Sequence, residues 1–174
     1  VNEPNIILSY YATNTTSLKQ TNYSHASVDK YNRQQYLPAT LRFSTKEITL
    51  TADMVNQHFA QIHQLSDQID LLIRTSTTDG LSATYIARAL EFALVQDYSS
   101  ALDDITRAIV MDGNLYFAYF CRANWRYKLL EYKRAMGETM ESADFELMMR
   151  DYDYVIHHQP DFSFAYYNKA NMLC

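Results

Sequence analysis

The pattern of Tyr85-Ile86-Ala87-Arg88-Ala89-Leu90, a tyrosine followed by a base and an alanine, recurs twice in this chain. Tyr119-Phe120-Cys121-Arg122-Ala123-Asn124 follows 34 residues later, and Tyr166-Tyr167-Asn168-Lys169-Ala170-Asn171 comes 47 after that, the same step with 13 residues inserted. A recurrence of this size predicts stacked helical repeats, in which each unit buries its apolar face only against its neighbours.

Working outward from the first copy, Tyr85, Ala89 and Phe92 mark one helix. Tyr98, Ala101, Ile105 and Ala108 mark a second, antiparallel to it after a turn at Gln96-Asp97, and Gly113 closes the unit. The 34-residue step carries these positions to Tyr119, Ala123, Arg126, Tyr132 and Ala135. The longer step carries Ile105 to Tyr152, Ala108 to Val155 and Gly113 to Pro160. Only three glycines and three prolines exist in the chain, so two of these breakers at one repeat position support the register. Gly137 to Ser142 reads as a break within the insertion, with Ser142 capping a restarted helix through His157. One unusually long helix is the alternative.

An aromatic, a small residue four on, Tyr-x-x-Ala, an alanine seven later and a closing proline together resemble the tetratricopeptide repeat. Tyr85, Ala89, Tyr98, Ala101, Ala108 and Gly113 carry the pattern once, and Tyr119, Ala123, Tyr132, Ala135 and Pro160 a second time. Tyr166 and Ala170 begin a third unit, which is read as part of a longer array or as a terminal cap. The units are 81–114, 115–161 with the insertion, and 162–174. The sequence departs from the pattern at Arg126, where an apolar or aromatic residue is expected, and at Val155, where a small one is. The expected fold is mainly α, an antiparallel helix-pair solenoid.

Upstream, residues 51–80 read as a long amphipathic helix and a linker. Thr51 is the expected N-cap with Asp53 in the first turn, and Val55, Phe59, Ile62, Leu65, Ile69 and Leu72 form one apolar stripe. Residues 1–50 read differently. Ile6 to Tyr11 is a predicted strand, 28–36 a short helix, and the alternations around Leu41-Phe43 and Ile48-Leu50 two half-buried strands. This small β-containing segment and the helix after it are similar to the spacer between repeats in tetratricopeptide proteins of Bacteroides-type bacteria. That resemblance would place the protein in a bacterial cytoplasm, periplasm or cell envelope.

The composition, 48% hydrophobic and 20% charged, is that of a globular domain. A formal net charge of -5 argues against nucleic acid, which needs a basic face. No apolar run reaches the roughly 20 residues that span a bilayer. The residue patterns that carry chemistry are missing. No glycine sits in a phosphate-cradling loop, and adjacent His157 and His158 point in different directions on a helix. His58 and His63 are five apart, which is wrong for a helical ligand pair, and both histidine pairs are read as solvated. Asp103-Asp104 and Asp151/Asp153 are read as solvating an outer face. Cys121 is read as a buried thiol. The expectation is therefore no enzyme, no metal and no cofactor.

The resemblance implies a concave groove lined by the first helix of each unit. The positions are Ile86, Leu90 and Leu94, then Phe120, Asn124, Tyr127 and Lys128, then Tyr167 and Asn171. Equivalent Asn124 and Asn171 would grip the main chain of an extended peptide, because an amide both donates and accepts. Phe120, Tyr127 and Tyr167 would add apolar contact, unless Phe120 and Tyr127 only pack against the next unit. The bases that clamp a terminal carboxylate in chaperone-binding members are absent. Three partners are open: a peptide or helix of another protein, the chain's own N-terminal segment, or a second copy in a homodimer. The basic run Arg122 to Arg134 and the acidic run Gly137 to Asp153 are expected to neutralise one another within the unit.

Overall fold

The computed structural model describes residues 51–173, and the β-containing segment expected at 1–50 lies outside them. The described residues are 80% helical and hold six helices and no strand. These are α1 (Ala52–Arg74), α2 (Leu81–Leu94), α3 (Tyr98–Met111), α4 (Tyr116–Ala135), α5 (Ser142–His158) and α6 (Ser163–Leu173). Each packs against the helix before and after it in the chain, so the order along the stack follows the sequence. The most extensive contacts lie within the pairs α2–α3 and α4–α5, and α6 touches α5 least of all. The architecture is that of an α-helical repeat-like stack.

α1 starts where the sequence provides a cap: the Thr51 hydroxyl accepts from the Met54 amide at 3.3 Å. Ile62, Leu65 and Ile69 bury its inner stripe, whereas Phe59 stands on the flank, 54% exposed. His58 Nδ1 to Glu91 at 2.6 Å and Arg88 to Ser66 at 3.0 Å fix α1 antiparallel to α2. α2 is apolar nearly all round, as a helix covered from both sides must be. Asp97 caps α3 by accepting from the Ser100 amide at 3.1 Å.

The 20-residue α4 outruns the 14-residue α2, and this relocates two expected residues. Tyr132 and Ala135 lie in the last turn of α4, both exposed, and not in the second helix of their unit. The positions matching Tyr98 and Ala101 are Phe145 and Met148 of α5, reached by the longer step. The break at Gly137 is real, with φ at 81°. Its cap differs from expectation: Glu141 is the N-cap of α5, without a side-chain bond, and Ser142 is the first helical residue. The single core runs through the whole stack, from Ile69 through Trp125 to Phe162 and Ala165.

Candidate functional site

The repeated stretch builds an ionic clasp before it builds any surface. In α2, Arg88 lies over the Tyr85 ring at 5.7 Å and reaches α3, where its Nε and Nη2 donate to both oxygens of Asp104 at 2.6 and 2.8 Å. In α4, Arg122 lies over Tyr119 at 5.2 Å and grips both oxygens of Asp151 at 2.8 and 2.7 Å. Asp104 and Asp151 are buried, which corrects their reading as solvated. Bidentate forks of this kind are among the strongest polar contacts a protein makes. Arg126 adds a third guanidinium, donating to Asp151 at 3.0 Å. Burial, then the nearby Arg122, lowers its pKa against the opposing pull of Asp151. The departure from the repeat pattern at Arg126 is thus a second base on one shared acid.

The expected groove positions separate by burial. Ile86, Leu90 and Leu94 are core residues between the helices and line no open surface. Phe120 is also buried, edge-on to Phe162 at 4.9 Å and to Tyr152 at 6.2 Å, so of its two readings packing is the one observed. Tyr127 and Lys128 are half-buried, with the Lys128 ammonium 5.7 Å from the Tyr127 ring and 2.9 Å from Glu131 on its own helix. Tyr167 is about half exposed and Asn171 half-buried on α6.

Asn124 is where three helices meet. Its Oδ1 accepts from the Tyr152 hydroxyl of α5 at 2.5 Å and from Asn168 Nδ2 of α6 at 2.8 Å. Asn168 is its partner on α6 and not the equivalent Asn171. The Asn124 Nδ2 group is buried and has no acceptor. A buried amide donor left unmade costs about 1–3 kcal/mol. Trp125 Nε1, beside it in sequence, is unmade as well.

One histidine reading changes: His58 is part-buried and paired with buried Glu91. His158 is exposed as expected, and it stacks on Tyr116 at 4.9 Å while its Nδ1 meets the Tyr154 carbonyl at 2.8 Å. Tyr154 stacks on Tyr119 at 4.1 Å and donates to the Gly113 carbonyl at 2.8 Å, tying the end of one pair to the next. Burial first, then Tyr119 and Tyr116, raises the Tyr154 pKa. The i, i+4 spacing of Tyr154 and His158 was a usable signal for this cluster. Among the described residues no group of three or more His, Cys, Asp or Glu could hold a metal, and no helix is long and apolar enough to cross a membrane. Compared with protein-family models, curated proteins and solved structures, the chain matches none.

Proposed function

We propose that the chain is a non-enzymatic interaction scaffold of tetratricopeptide type, which takes an extended peptide of a partner protein between α4 and α6. The buried, acceptorless Nδ2 of Asn124 carries this reading. A peptide carbonyl would satisfy it while neighbouring residues hold the chain on either side. Tyr127 and Lys128 lie one turn further along α4, and Tyr167 and Asn171 stand on α6. α6 is the helix with the least contact, so a small outward shift, at the expense of the Asn168–Asn124 bond, admits the ligand. Phe120, packed on Phe162 and Tyr152, supports the site from beneath without touching the peptide.

The test is a displayed library of random peptides selected on the chain. The ligands are then titrated against Tyr127→Ala/Lys128→Ala/Asn171→Ala, which spares every fully buried residue. Loss of at least about tenfold in affinity, with unchanged helicity, supports the site. Equal affinity for both proteins, or a library that yields no ligand, overturns it.

A further inference from the structure

The two complete helix pairs hold their clasps differently. The Arg88 guanidinium lies 5.7 Å from each of two rings, Tyr85 and Phe92. Its Nε–Nη2 edge grips Asp104, while Nη1 donates to Ser66 at 3.0 Å. In the second pair Arg122 keeps the ring of Tyr119 and grips Asp151 with the same edge. The place of Phe92, 34 residues on, is taken by Arg126. A ring that shelters one guanidinium is thus replaced by a second guanidinium, and two cations share one buried carboxylate. Arg126 reaches Asp151 through Nη1 alone, at 3.0 Å. Its Nε–Nη2 edge, the one with which Arg88 and Arg122 each hold a carboxylate, has no acceptor among the described residues. Solvent reaches that edge. The Arg126 side chain is 22% exposed, and the buried side-chain atoms without a partner are Asn124 Nδ2 and Trp125 Nε1.

We infer that the free edge of Arg126 is a binding site for a carboxylate, held by two parallel N–H···O bonds as Asp104 and Asp151 are held. Charge balance selects this class of anion. Arg122 and Arg126 against Asp151 leave one positive charge, which a single carboxylate cancels. A phosphate carries close to two charges at neutral pH and would leave an excess negative charge beside Asp151. Asp144 of α5, which acts on Arg126 through its field, adds to that penalty. The partial burial that makes the second guanidinium costly also makes it a good seat, because charge-assisted bonds are screened less there than at an open surface. Burial first, and then Arg122, disfavours the charge on Arg126, and a bound carboxylate would offset both. Arg126 is two residues from Asn124 and from Lys128, about 200° around α4 from each. The carboxylate site therefore lies across the helix from the peptide site, and the inference stands independently of it.

The probe is sodium acetate, titrated into the whole isotope-labelled chain at an ionic strength held constant with sodium chloride. The arginine Nε–Hε signals are followed by NMR. A saturable shift of the Arg126 signal is expected, with phosphate and chloride at least about tenfold weaker. Arg126→Lys keeps the charge but loses the fork, and weakens acetate binding about tenfold. Arg126→Phe restores the ring of the first pair. It should fold, abolish the response of the Arg122 signal to acetate, and remove the rise in thermal midpoint that acetate gives the unaltered chain. The amide of N-acetylglutamate, which carries one carboxylate on a peptide frame, is titrated in parallel. Tighter binding of this amide than of acetate assigns the site to an acidic side chain, and the reverse order to a free acid. Absence of a saturable shift, an equal response to phosphate or chloride, or unchanged binding in Arg126→Lys overturns the inference. So does an acetate response that survives Arg126→Phe.

Discussion

Asp151 neutralises two guanidinium groups and Asp104 one. Removing a buried acid therefore has unequal consequences at the two sites. Asp151→Asn leaves Arg122 and Arg126 facing each other with little water, and a loss of about 3 kcal/mol is expected in urea unfolding. Asp104→Asn costs less, because Arg88 keeps Ser66. Tyr154 makes a prediction at alkaline pH. Its pKa is raised, so folding favours the protonated phenol. That contribution is complete below about pH 10 and is lost as the pH climbs through the raised value. In a spectrophotometric titration Tyr154→Phe should remove one tyrosine's worth of absorbance change from the late-ionising part of the curve. The clasp was legible in the sequence, since Asp104 and Asp151 are separated by the same 47 residues as Ile105 and Tyr152. What hid it was adjacency: Asp103 beside Asp104, and Asp153 near Asp151, look like solvated pairs until the helix face is known. The Asn124–Asn168 bond had no such signal, because α4 and α6 are joined by neither local spacing nor period.

Among the elements, α1 and the first pair followed the sequence because the Thr51 cap, the inner part of the apolar stripe and the turn at Gln96-Asp97 agree there. The second pair did not, because a fixed step of 34 was carried past the point where α4 keeps winding. Tyr132, 65% exposed, tests the corrected register. Tyr132→Ala should change stability by no more than about 0.5 kcal/mol, whereas a tyrosine in the interior of the pair would cost several times that. The glycines give a second contrast. Gly137 has φ at 81°, and an added Cβ would meet nothing within 4 Å, so Gly137→Ala costs about 1 kcal/mol of backbone strain alone. Gly113 has no positive φ, and its added Cβ would lie 3.9 Å from the Tyr119 hydroxyl, so Gly113→Ala is expected to be nearly neutral. Thermal unfolding of the three variants checks all of this.

Across the molecule, a stack whose main contacts follow sequence order is held together by neighbours, so a helix with little contact should open before one covered on both sides. α6, with Ala165 as its one buried residue, is expected to lose its amide protons first in hydrogen exchange, and α2 through the first half of α4 last. The same gradient is recorded by chemistry at one atom. Cys121, at 0% exposure in the second turn of α4, carries a buried thiol that no alkylating reagent can reach while the stack is closed. In a Cys174→Ser background, its rate of alkylation becomes a stopwatch for the opening of the central pair. Any ligand that closes the stack should slow it in proportion to occupancy.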